Sequence, residues 1–236
     1  MPMSSRSFRW ESELSASFQR HGIAILQGSP KNDGFFGSIR ESTCSEGRAD
    51  LVWARMFRAE EAEALRCYAW ILQQPTSSRI LALLKRNAVR SEQFLQQHSG
   101  VTLATLRHAL RELTRCGLIT EREPKRFVLE QDLWFSDLEI CSFEFKLTNW
   151  KRALYQATRY RSFSHRVFVV LPPETLRVTA PHIDRFRILN VGLIVHGRDG
   201  QSKEIFRPRK QSPASRHTLL RAIGMLLERQ TVSLNA

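Results

Sequence analysis

Glu144 and Lys146 flank Phe145 in a mostly apolar run that also holds Leu138, Ile140, Phe143 and Leu147. In a strand, residues two apart share a face. Glu144 and Lys146 therefore stand side by side, while Phe143, Phe145 and Leu147 turn to the core. A lysine beside a carboxylate in a partly buried strand is costly unless it is paired or put to use. Asp50 heads a second apolar run, Leu51-Val52-Trp53. If that run is a neighbouring strand, Asp50 and Glu144 can meet on one side. Two carboxylates, with the Phe145 backbone carbonyl as a further oxygen, suit Mg²⁺ or Mn²⁺, which take few protein carboxylates and keep several waters. An ion there lowers the pKa of a bound water and neutralises charge on a scissile phosphate. Lys146 can orient the attacking water or stabilise the transition state. Gln156 and Tyr160 lie four residues apart, so one helical face presents both to a phosphate or to the lysine.

Each residue also has a purely structural alternative. Glu144 and Lys146 suit a cross-strand ion pair on a solvent-facing sheet. Asp50 suits a strand cap, Gln156 a helix surface and Tyr160 packing on the sheet. The seven histidines show no metal-ligand spacing, and most of them read as surface or DNA-facing residues.

The elements that must position these groups follow from periodicity and turn residues. Phe8–Arg20 reads as a helix ended by His21-Gly22, and Ile23–Leu26 as a short strand. Gln27–Gly47, rich in Gly, Ser, Asn and Asp, reads as a long exposed loop. Ala49–Phe57 is a strand, Arg58–Ile71 a helix and Gln73–Ser78 a linker. Helices over Ser78–Arg86, Ser91–Gln97 and Thr102–Cys116 precede strands at Leu118–Thr120 and Arg126–Leu129. Asp137–Leu147 is a strand and Trp150–Phe163 a helix. Arg166–Leu171 is a strand, Glu174–Leu189 a helix broken near Pro181, and Val191–His196 a strand. A returning strand at Glu204–Arg207 and a last helix over Pro213–Arg229 finish the chain. This order describes an α/β core interrupted by an insert.

The chain has 236 residues and a net charge of +13, an excess that points to a polyanion, most often nucleic acid. The charge is uneven. Residues 1–75 are neutral, 76–130 carry +5, 131–150 carry −3 and 151–236 carry +11. An acidic island in a basic chain repels phosphate unless a cation intervenes. Within 76–130, Arg107, His108 and Arg111 lie on the polar side of the third helix, and Lys125 and Arg126 lie at the hairpin tip. Three helices and a short hairpin match the order of a winged helix-turn-helix, in which a recognition helix reads a groove and the wing grips phosphates. A packing or dimerisation module is the alternative. No apolar run reaches membrane-span length, Met1–Trp10 lacks a secretion h-region, and the four cysteines form no Cys-x-x-Cys pair. A cytoplasmic protein with no membrane partner is the expectation.

Asp50, then Glu144-x-Lys146, then Gln156-x-x-x-Tyr160 resembles the signature of the PD-(D/E)XK nuclease superfamily. Ala49 stands where that pattern has proline. Glu11, in Glu11-Ser12-Glu13-Leu14 and with Glu13 as the alternate, resembles the first-helix acid of the superfamily's Holliday junction resolvases. The resemblance covers 1–75 and 131–236, with 76–130 as an inserted winged helix. It implies an α/β restriction endonuclease-like mixed-sheet core flanked by helices, bound Mg²⁺ (or Mn²⁺), and cleavage of DNA phosphodiester bonds. It implies catalytic roles for Glu11, Asp50, Glu144, Lys146, Gln156 and Tyr160, and metal ligation by Asp50, Glu144 and Phe145. A double-strand cut needs two active sites, which makes a homodimer an expectation, and protein partners in a larger DNA-processing system another. The competing reading is a DNA-binding regulator or assembly protein that keeps the fold without cutting. An RNA-directed nuclease or a protein adaptor has little beyond the charge to support it.

Overall fold

The computed structural model describes residues 7–22, 25, 35–44, 47–56, 59–133 and 137–233. The strands in chain order are β1 (Phe35–Cys44), β2 (Gly47–Met56), β3 (Arg90–Ser91), β4 (Ile119–Glu123), β5 (Arg126–Leu129), β6 (Glu139–Phe145), β7 (Arg166–Leu171), β8 (Gly192–His196) and β9 (Ser202–Phe206). The helices are α1 (Glu11–Ser17), α2 (Ala59–Arg66), α3 (Ala69–Gln73), α4 (Pro75–Leu83), α5 (Glu92–Ser99), α6 (Leu103–Arg115), α7 (Trp150–Arg159), α8 (Pro173–Thr179), α9 (Ile183–Ile188) and α10 (Arg216–Ser233). The chain forms two compact units, Met1–Arg55 with Glu139–Pro213, and Met56–Leu138 with Ala214–Ala236.

The first unit is mixed α/β. Its six-stranded sheet has the order β1-β2-β6-β7-β8-β9. β2 is antiparallel to β6, β6–β7 and β7–β8 are parallel, and β9 is antiparallel to β8. One face packs Leu51, Trp53, Phe143, Phe145, Phe168, Val170 and Ile194 against Phe8, Leu14 and Phe18. The α7 helix buries Trp150, Ala153, Leu154 and Ala157. Every residue of β6 is buried, so both of its faces are covered. That explains the near-continuous apolar run in the sequence and excludes a solvent-facing sheet surface for Glu144.

Several expected boundaries shift. The Gln27–Gly47 loop contains β1, which pairs beside β2 and buries Ile39. Residues 27–34 lie outside the described residues, as does most of the Ile23–Leu26 strand. The expected Gln73–Ser78 linker holds the end of α3 at Gln73 and, after Gln74, the start of α4, with Pro75 in the first turn, where its missing N–H costs nothing. His196 is fully buried, an exception among histidines read mostly as surface residues, and its two ring nitrogens meet Ser202 Oγ at 2.7 Å and Ser17 Oγ at 2.9 Å.

The second unit is wider than the 76–130 insert. It begins before α2 and also takes α10, whose Leu220, Ile223, Leu226 and Leu227 are buried. α10 packs on α3 and α4. Gly224 allows the approach, because a Cβ there would lie 2.7 Å from the Ala69 carbonyl oxygen. Ser91 and Thr102 cap α5 and α6 by accepting from the Phe94 and Thr105 N–H groups. β4 and β5 follow α6, and β3, which precedes α5, pairs with β5 to complete a β3-β5-β4 sheet. Among the described residues, no helix is long and apolar enough to cross a membrane.

Candidate active site

The site lies at the carboxyl end of β6. Register places Leu51 opposite Phe143. One step outward, Asp50 comes opposite Glu144, and strand parity turns both away from the phenylalanine core. Asp50 Oδ2 accepts the Phe145 N–H at 2.9 Å across 95 residues of sequence. Glu144 is 1% exposed. Its Oε1 accepts from the Lys146 ammonium at 2.8 Å, and its Oε2 from the Tyr160 hydroxyl at 2.5 Å. The same hydroxyl lies 2.7 Å from the Arg48 carbonyl. Lys146 also donates to the Phe145 carbonyl at 3.0 Å and to Glu11 Oε2 at 3.1 Å.

Local structure explains why these groups meet. Lys146 sits one residue past β6, where its N–H still reaches the Val170 carbonyl at 3.3 Å. Leu14 and Phe18 anchor the α1 segment in the core, and that holds Glu11 at the sheet end. Asn149 caps α7 by accepting the Arg152 N–H at 3.0 Å. Tyr160 follows α7 directly, its ring buried beside Phe163.

Burial raises the pKa of Asp50, against the opposing pull of the Phe145 N–H and Lys146. Burial also raises that of Glu144, and the Asp50 charge adds to it. For Lys146 burial lowers the pKa, but the hydrogen bond and charge of Glu144, then Glu11 and Asp50, outweigh it and leave the ammonium held above its ordinary value. Two carboxyl groups with raised pKa values, beside a lysine whose pKa is also raised, are an arrangement typical of functional sites.

Five of the six sequence candidates thus join one network: Glu11, Asp50, Glu144, Lys146 and Tyr160. Gln156 does not join it. Its Oε1 is buried without a partner, leaving an acceptor unsatisfied one helical turn before Tyr160. The Arg48 carbonyl is a participant the sequence could not reveal, since any residue supplies that group. The donor chemistry fits a hard divalent ion: two carboxylates and a peptide carbonyl, all oxygen. Among the described residues, no group of three or more His, Cys, Asp or Glu is placed to hold a metal. An ion would therefore lean on the Phe145 carbonyl and on water.

In the second unit the expected nucleic-acid contacts fall into two groups. Arg107 is held by Glu92 at 2.9 and 3.0 Å, and Arg126 pairs with Glu123 at 3.4 Å. His108 and Arg111 are exposed on α6, and Lys125 holds the hairpin tip with φ +60°. No salt bridge reaches Arg111 or Lys125 among the described residues. Both line a groove of about 430 Å³ with Leu110, Thr114 and Phe127.

Comparison of the chain with family models, with curated proteins and with solved structures finds no match.

Proposed function

We propose that the chain is a divalent-metal-dependent DNA endonuclease of the PD-(D/E)XK kind. The observation that carries this reading is the closed network of Asp50, Glu144, Lys146 and Tyr160 at one strand end, drawn from segments 95 residues apart. A restriction endonuclease-like core is supported by β2 running antiparallel to β6, with β6, β7 and β8 parallel and α7 between β6 and β7. A winged helix is supported by α4, α5 and α6 followed by the β4–β5 hairpin. Carboxyl ends of parallel strands are common places for ligands in open α/β sheets.

Asp50, Glu144 and the Phe145 carbonyl would hold the ion. When bound, it supplies a water of lowered pKa and neutralises phosphate charge. Tyr160 fixes the Glu144 carboxylate through Oε2 and so sets which oxygen faces the site. Lys146 brings a positive charge to the place where negative charge develops on the phosphate. Glu11, 48% exposed, tethers the lysine from the solvent side. The unsatisfied Gln156 Oε1 offers an acceptor to the lysine or to a bound water. Arg111 and Lys125 supply phosphate contacts from the second unit, and the +13 charge favours DNA as the partner. The free cysteines Cys67, Cys116 and Cys141 suit a reducing, cytoplasmic setting.

The second reading, a DNA-binding protein that does not cut, has one observation of its own. Asp50 is engaged with the Phe145 N–H, and the Phe145 carbonyl with Lys146, so the oxygen set is satisfied internally. Incubation of plasmid and branched DNA with Mg²⁺ or Mn²⁺ separates the two. The nuclease reading expects cleavage that is lost in both Asp50→Ala and Glu144→Ala. Cleavage that survives either change removes that residue from the mechanism. Salt-sensitive binding with no cleavage by any divalent ion leaves the non-cutting reading.

A further inference from the structure

Three oxygens converge on the Lys146 ammonium: Glu144 Oε1 at 2.8 Å, the Phe145 carbonyl at 3.0 Å and Glu11 Oε2 at 3.1 Å. Two of them belong to groups assigned above to a divalent ion. The lysine side chain is only 12% exposed, so its charge is largely withdrawn from water and its partners are fixed. Two cations bound to the same few oxygens in such surroundings repel strongly. The lysine stem is flexible and carries its charge as a compact point, so the ammonium can leave while the backbone stays in place. Glu11, the most exposed of the three partners, marks the direction of exit.

We propose that the Lys146 ammonium is a resident placeholder cation: it occupies the Glu144 and Phe145 oxygens in the ion-free chain and must vacate them before a divalent ion binds. The proposal rests on the metal reading of those oxygens. It gives Lys146 a task before any chemistry. The ammonium keeps Glu144 oriented and compensated while no ion is present, and it sets the concentration at which an ion enters. Ion affinity is then the outcome of an exchange between two cations, not of the oxygen set alone.

The test compares Mn²⁺ binding by the full chain, by Lys146→Met and by Glu144→Gln, using calorimetry and the free-ion electron paramagnetic resonance signal. Lys146→Met retains a long stem and loses the charge. It is expected to bind Mn²⁺ about tenfold more tightly, the size of one charge-assisted hydrogen bond. Glu144→Gln is expected to lose binding. A second readout follows acetylation of the lysines by mass spectrometry. Lys146 should react slowly in the ion-free chain and faster at saturating Mg²⁺, while exposed Lys85 and Lys203 keep their rates. Equal or weaker Mn²⁺ binding by Lys146→Met overturns the placeholder alone, as does unchanged Lys146 labelling with the ion bound. Absence of Mn²⁺ binding in both the unchanged chain and Lys146→Met overturns the metal reading, and the placeholder with it.

Discussion

Replacing Tyr160 by Phe removes one oxygen from the interior of the first unit and leaves the ring packing on Phe163 intact. Tyr160 is 1% exposed, and its hydroxyl lies within hydrogen-bond range of Glu144 Oε2 and the Arg48 carbonyl. The change creates no large cavity, so its cost comes from the lost donor. The hydroxyl carries one proton, so the expected loss is that of one donor to a buried acceptor, about 1–3 kcal/mol. That is a sizeable part of the roughly 5–15 kcal/mol that holds a typical domain folded. Native-state hydrogen exchange at β6 amides is the appropriate assay, because a chain of two units need not unfold in a single step. A double-mutant cycle with Glu144→Gln should return a coupling of about 1–3 kcal/mol. The pH dependence has a definite sign. Glu144 has a folded pKa above its ordinary 4.5, so its contribution is most favourable below that value and is lost as pH rises through the folded pKa. Removing the hydroxyl takes a donor from the carboxylate, raises that pKa further and extends the loss to higher pH. A change smaller than about 0.5 kcal/mol, within the range of ordinary surface substitutions, would falsify the view that Tyr160 holds the carboxylate.

Three further outcomes are expected. Burial lowers the pKa of His165 from 6.5 to about 4, so the folded chain keeps it neutral while the unfolded chain takes a proton. Stability should therefore fall as pH drops from 6.5 towards 4, by at most about 3 kcal/mol. His165→Asn should flatten that part of a pH–stability curve, and an unchanged curve would reject the assignment. Gly224→Ala places a Cβ 2.7 Å from the Ala69 carbonyl oxygen, and it should destabilise the second unit by about 1–3 kcal/mol, seen as a lower urea midpoint for its unfolding. Arg111→Ala should weaken duplex DNA binding and reduce the slope of log K against log salt by about 1. Arg107→Ala should change the slope less, since Glu92 already neutralises that guanidinium.

The site was more legible than the boundaries around it. Strand parity alone puts Glu144 and Lys146 on one side, and it needs no knowledge of neighbours. The meeting with Asp50 depended only on β2 and β6 being adjacent. The engagement of Tyr160 followed from its place at the end of α7, but the role of Arg48 did not, because a peptide carbonyl has no residue signature. β1 was hidden by the Gly, Ser and Asn residues of Gln27–Gly47, whose turn propensity was overridden by pairing with β2. Pro75 looked like a break and is a helix start, two roles that share one residue type. The place of α10 was illegible for a different reason. An amphipathic helix shows which face it buries, not which partner covers it.

The chain path through the two units sets an order of events on the ribosome. β2 emerges long before β6, its antiparallel neighbour, and the whole stretch from Met56 to Leu138 comes between them. The helices of that stretch wait in turn for α10, which follows β9 of the first unit in the sequence. Neither unit can close early, and each has to hold an incomplete nucleus while the other is being made. Late-forming pairings of this kind slow maturation and leave apolar edges open in nascent chains. A premature stop before Arg216 would therefore remove α10 and leave α3 and α4 without the helix that covers them.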